Sequence, residues 1–144
     1  MLCTEPPAGG TEPLALPPIE VVFPAGESFK HFDLKWQEHA NMAARPVEDA
    51  GLAAALGRMV QRLFAAMNGV GYVRCDIRMD AAGGLYLLDC NPNPGMFYPP
   101  GQYGAADLIL AREPDGHRRF LEHIIDCARR RYAGPRSAST ITPS

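Results

Sequence analysis

Apolar residues recur at three- and four-residue steps from Leu52 to Met67, at Leu52, Leu56, Met59, Val60, Leu63, Phe64 and Met67. That spacing lays one apolar stripe along a helix. Asp49 is a suitable N-cap for it, and Asn68-Gly69 a suitable stop. The period then changes from helical to alternating. Tyr72 to Met79 and Leu85 to Cys90 read as two strands, with Ala81-Ala82-Gly83-Gly84 as the turn between them. Alternation puts Val73, Cys75, Ile77, Met79, Tyr86, Leu88 and Cys90 on one face. It puts Tyr72, Arg74, Asp76, Arg78, Asp80, Leu85, Leu87, Asp89 and Asn91 on the other. The first set is largely apolar and the second is rich in charge, which predicts a packed face and a chemical face.

A turn centred near Ala82-Gly83 sets Asp76 opposite Asp89, Arg74 opposite Asn91, and Cys75 opposite Cys90. Like charges directly opposed destabilise a hairpin. A hard divalent cation would offset the repulsion, because carboxylate and amide oxygens are its preferred ligands. A solvated polar face that happens to hold two acids is the alternative.

Elsewhere the pattern is weaker. Residues 1–18 hold five prolines among Gly, Thr and Glu, and predict a disordered lead-in. Ile19 to Phe23 is a short β-rich run ended by Pro24. The stretch that follows, through Asp49, has no clean period and predicts a long loop, with a short strand around Phe29 to Asp33. It carries both lysines of the chain, Lys30 and Lys35. The segment Asn91 to Gly104 is rich in Pro and Gly and predicts a rigid, irregular loop. Asn91 is placed toward the site and Asn93 in turn chemistry. Gly104 to Leu110 reads as one or two helical turns. A second amphipathic helix is predicted over His117 to Tyr132, with Phe120, Leu121, Ile124, Ile125 and Ala128 inward and arginines outward. Residues 133–144 predict a flexible tail.

Composition narrows the function classes. The chain has 144 residues and a net charge of −2, so it lacks the basic field of a nucleic-acid binder. No apolar run approaches the ~20 residues that span a bilayer, and MLCTEPPAGG lacks the regions of a signal peptide. A cytoplasmic chain is the expectation. Cys3, Cys75, Cys90 and Cys127 form no C-x-x-C, and are read as buried free thiols rather than zinc ligands.

Three motifs in order, Arg74-Cys75-Asp76, Asp89-Cys90-Asn91 and Pro94-Gly95-Met96, resemble the C-terminal part of ATP-grasp ligases, especially D-alanine–D-alanine ligases. The segment Phe32-Asp33-Leu34-Lys35-Trp36 is similar to that family's aromatic-acid-x-Lys-aromatic stretch. The resemblance covers residues 19 to 131. It implies an α+β fold, an antiparallel sheet with flanking helices, forming a C-terminal ATP-grasp subdomain over 19–132 that is incomplete without its N-terminal lobe. It implies ATP and Mg²⁺ or Mn²⁺ as cofactors, with Asp76, Asp89 and Asn91 as metal ligands and Asp89 bridging two ions. Arg74 would stabilise charge at the reacting carbonyl or phosphate. Lys35 would reach the terminal phosphates, and Leu88 would touch the adenine although alternation puts it on the face opposite the acids.

The activity so implied is ATP-dependent joining of a small carboxylate to an amine through an acyl phosphate. Magnesium and arginine suit that chemistry because they neutralise oxygens that gain charge. The sequence departs from the family in two places. Asp89 stands where Glu is usual, and Phe97-Tyr98-Pro99-Pro100 stands where D-alanine ligases carry hydroxyl residues for the acceptor. No glycine-rich phosphate loop is visible, so a fragment inactive alone is expected. The alternative is a non-catalytic remnant that serves as an interaction module. The sequence says nothing of oligomeric state.

Overall fold

The structure, a computed structural model, describes residues 1–23 and 43–133. Its elements run β1 (Leu2–Thr4), β2 (Leu14–Ala15), β3 (Ile19–Val22), β4 (Ala43–Pro46), α1 (Ala50–Ala66), β5 (Tyr72–Met79), β6 (Leu85–Asn91), α2 (Ala105–Leu110) and α3 (Gly116–Ala133). The fold is α+β. One four-stranded sheet has the order β2-β1-β5-β6, β3 pairs with β4 apart from it, and every pairing is antiparallel.

Part of the lead-in expected to be disordered, Leu2–Thr4, is instead an inner strand of the sheet. Leu2, Cys3 and Thr4 pair with Arg74, Val73 and Tyr72 and are fully buried. Three residues cannot display a period, and their partners lie about seventy residues on, so local patterning could not reveal them. Beyond β1, the Glu5 carboxylate accepts from the Gly71 amide at 2.7 Å and pairs with Arg131 of α3. His123 of α3 reaches Thr4 Oγ1 at 2.9 Å.

Because side chains alternate across β1, Leu2 and Cys3 enter two different cores. Cys3 joins Val73 and Cys75 under Val60 and Phe64 of α1. Leu2 joins Ala106, Ile109 and Leu110 of α2 and Phe120 of α3, with Tyr72 packed alongside. The Tyr72 ring meets Phe120 edge-on at 5.3 Å. The face that alternation marked as chemical is therefore covered by helices at its Tyr72 end.

Helix α1 follows its sequence signals closely. Asp49 accepts from the Leu52 amide at 3.0 Å, and Asn68 takes the left-handed conformation at φ 50°. Gly69 is required sterically, since a Cβ there would lie 2.7 Å from the Phe64 ring. Helix α3 differs from expectation. Phe120, Ile124 and Cys127 turn inward, while Leu121 and Ile125 are exposed. Three of its arginines are engaged: Arg118 with Asp115 and Glu122, Arg130 with Asp126, and Arg131 with Glu5. Strand β4, inside the stretch read as a long loop, pairs with β3. The strand expected around Phe29 to Asp33 lies outside the described residues.

Asp80, placed by alternation on the chemical face, is the turn residue of the hairpin. Its Oδ1 accepts from the Ala82 and Gly84 amides at 2.9 and 2.7 Å. Those bonds, Gly84 foremost and the Tyr86 side chain next, hold its carboxyl below the usual carboxylate range.

Two expectations follow. Leu2→Ala should destabilise the chain by about 2–5 kcal/mol in urea unfolding, the cost typical of a buried leucine; a change near zero would contradict the central place of β1. The folded-state depression of Asp80 means its stabilisation is present above the ordinary carboxylate pKa of about 3.9 and fades as pH falls through the lower folded value. Stability should thus fall less steeply with acid in Asp80→Asn than in the parent, which paired pH titrations of the unfolding midpoint would read.

Candidate functional site

The register inferred for the hairpin holds at the site and fails beyond it. Arg74 faces Asn91, Cys75 faces Cys90 and Asp76 faces Asp89. The ladder then shifts, with Ile77 opposite Leu87, Arg78 opposite Tyr86 and Met79 opposite Leu85. Leu88 is the extra residue of a β-bulge. Bulges break alternation and re-aim side chains. Tyr86 therefore sits opposite Arg78 on the chemical side, and Leu85 and Leu87 face the apolar one, the reverse of simple alternation. Leu88, expected on the apolar face, is 60% exposed.

Arg74 occupies the centre of the charged group. Its Nε and Nη2 donate to the two oxygens of Asp76, both at 2.9 Å, and Nη2 lies 3.9 Å from Asp89 Oδ2. Arg74 is the most buried of the three, while both carboxylates reach solvent. The repulsion that spacing assigned to a cation is thus offset in the structure by a guanidinium fork. Asn91 is turned toward its own loop, with Oδ1 accepting from the Asn93 amide at 2.9 Å. That is the Asx-turn chemistry expected of Asn93.

Two carboxylates and an amide oxygen remain the available donors, and oxygen donors alone suit a hard cation such as Mg²⁺. Among the described residues, no three His, Cys, Asp or Glu side chains come together as a metal site. Lys35 lies outside the described residues. The segment that carries it follows Phe23, whose ring lies 6.0 Å from the Arg78 guanidinium on the chemical side of β5. A cleft of about 500 Å³ lined by Met1, Pro18, Val47 and Arg112 lies elsewhere, and none of Arg74, Asp76, Asp89 or Asn91 lines it.

Residues 9–98 match the family described as D-ala D-ala ligase C-terminus. The chain belongs to this family. The matched span holds the hairpin, the acids and the Pro94-Gly95-Met96 turn, and it begins inside the segment read as a lead-in. Among curated proteins, the D-alanine–D-alanine ligase of Idiomarina loihiensis is 36% identical over 92 residues, covering 61% of this chain and 28% of the relative. That of Burkholderia orbicola is 34% identical over 90 residues, covering 58% of this chain and 26% of the relative. That of Kineococcus radiotolerans is 30% identical over 132 residues, covering 88% of this chain and 34% of the relative. The chain thus spans about a third or less of the relatives it matches. No solved structure matches it.

In this ligase-family chain the loop after Asn91 is held by a residue that sequence reading missed. Asp107 of α2 is fully buried and accepts from the amides of Phe97 at 2.7 Å and Gly104 at 3.2 Å. It also faces His117 Nε2 at 2.9 Å. Phe97 has φ 63°, a strained conformation for a bulky residue, and the buried carboxylate fixes it there. The signal was present: Gly104-x-x-Asp107 has the spacing of a helix capping box, although Gly supplies no side-chain oxygen. The Tyr98 ring folds back on Gly95, where a Cβ would meet its hydroxyl at 2.5 Å.

If Arg74 offsets the opposed acids, Arg74→Met should cost about 1 kcal/mol, a figure kept small because both carboxylates are solvent-screened. Adding Asp76→Asn should recover most of it. Equal stability of the single and double variants in urea unfolding would remove Arg74 from that role.

Proposed function

We propose that the chain is the C-terminal ATP-grasp lobe of an ATP-dependent carboxylate–amine ligase, and that its hairpin binds Mg-ATP. The observation that carries this reading is the grouping of Arg74, Asp76, Asp89 and Asn91 on one side of a hairpin within the span that matches the ligase family. Asp76, Asp89 and Asn91 would hold the metal, with Asp89 shared between two ions and Mn²⁺ able to substitute. Bound magnesium would neutralise phosphate oxygens that gain charge during transfer.

Arg74 is already anchored by Asp76 with its planar fork fixed, so it would present a positioned cation to the reacting carbonyl or phosphate. Lys35 would supply a compact charge to the terminal phosphates. Leu88, exposed by the bulge, would offer an apolar contact for adenine. The substrates would be a small carboxylate and an amine. Phe97-Tyr98-Pro99-Pro100 stands in the acceptor loop where D-alanine ligases carry hydroxyl residues, which favours an acceptor other than D-alanine. We assign turnover to the complete two-lobed enzyme, acting in the cytoplasm, and nucleotide and metal binding to this part of it.

One observation favours a second reading, a non-catalytic remnant kept as an interaction module. Asp76 is satisfied by Arg74, and Asn91 by its own turn, so the cluster is self-contained without metal.

Calorimetric titration of the chain with Mg²⁺ and a non-hydrolysable ATP analogue separates the two. Saturable heat that Asp89→Ala abolishes is the expected result; no heat at millimolar ligand would leave the remnant. The chain alone should release no ADP when given ATP, Mg²⁺ and an amino acid. Amino-acid-stimulated ADP release would show instead that this lobe suffices for the first step.

A further inference from the structure

The side of the hairpin away from the acids holds two thiols whose geometry is set by β1. Met1 N donates to Cys75 O, and Cys75 N to Met1 O, both at 2.8 Å. In an antiparallel sheet a residue's N–H and C=O point toward the same neighbour. Cys75 directs both at β1, so toward β6 it forms a non-hydrogen-bonded pair with Cys90, the residue opposite. Such pairs have Cα atoms about 4.5 Å apart and their side chains close together. That lies within the roughly 4.4–6.8 Å that disulfides span.

The other two cysteines fit less well. Cys3 stands opposite Val73, diagonal to Cys75. Diagonal neighbours are about 7–8 Å apart, at or beyond the ~7 Å limit for a bridge. Cys127 is on α3, with its sulfur toward Pro6 O and His123. All four are free thiols in the structure. Cys90 is the accessible member of its pair: it is half-buried on the edge strand β6, under the exposed Met67, whose sulfur is 3.9 Å away.

We propose that Cys75 and Cys90 form a dithiol site that a small-molecule disulfide oxidises to a cross-strand disulfide. Cys90 Sγ attacks one sulfur of the reagent, whose S–S bond breaks, and one small thiol leaves. Cys75 Sγ then attacks Cys90 Sγ in the mixed disulfide and displaces the second small thiol. The two cysteines lose two electrons and two protons, and the reagent gains them as two thiols. The new bond lies between the Arg74–Asn91 and Asp76–Asp89 pairs and ties β5 to β6 at their level.

The test is incubation of the folded chain with oxidised glutathione, followed by thiol counting in denaturant and a non-reducing peptide map. Free thiols should fall from four to two, and one linked peptide should join Cys75 to Cys90. Cys75→Ser should stop at a glutathione adduct on Cys90, and Cys127→Ser should still give the Cys75–Cys90 link. Four thiols remaining, a lasting adduct on wild-type Cys90, or a linkage through Cys3, Cys127 or a second chain would each overturn the proposal. The wild-type map decides the matter even if a variant fails to fold.

Discussion

The structure depends on three residues at the start of the chain pairing with the start of β5. Leu2, Cys3 and Thr4 have no side-chain surface left exposed, and the two cores that Leu2 and Cys3 join draw on α1, β5, α2 and α3. Alternation makes this strand a partition. Cys3 closes the core beneath α1, and Leu2 closes the core beneath α2 and α3. Neither core is large, so each depends on β1 for a fully buried member. The contacts of Glu5 with Gly71 and Arg131 fasten the same segment to both the hairpin entry and α3.

The charged group sits where that layering ends. Tyr72 carries the face into the α2–α3 core, and two residues on, at Arg74, the same face becomes polar. An arginine suits this boundary because its stem can lie against packed surface while its fork reaches carboxylates. Arg74 is less exposed than either carboxylate, which fits such a position. Asp107 acts comparably on the following loop. One buried carboxylate gathers the Phe97 and Gly104 amides and His117, and so sets a turn that strain would otherwise open.

What could be read from the residues alone follows from the range of the forces involved. Helix α1 and its caps, the hairpin and the opposition of Asp76 to Asp89 all depend on near neighbours, and periodicity with turn chemistry exposed them. The motifs at Arg74, Asp76, Asp89 and Asn91 likewise led to the ligase family that residues 9–98 match. Strand β1 could not be found in this way, because its partners are remote and the prolines that follow it suggest disorder. The bulge at Leu88 has no local signature either, and missing it reversed the faces of Leu85, Tyr86 and Leu87. The opposition of the acids was legible, and in the structure the charge beside them comes from Arg74, two residues from Asp76 on the same strand.

The bonds at the other edge of β5 also reveal the spacing of the acids. Met1 takes both backbone groups of Cys75. Residues on either side must then point theirs the other way, toward β6. Arg74–Asn91 and Asp76–Asp89 are accordingly hydrogen-bonded pairs, whose Cα atoms stand about 5.5 Å apart rather than about 4.5 Å. The wider pairs face the polar side and leave room for a guanidinium fork between carboxylates. The narrow pair faces the apolar side and holds two thiols. A shift of β1 by one residue along β5 would turn over the faces of β1 itself, exchanging the cores that Leu2 and Cys3 enter.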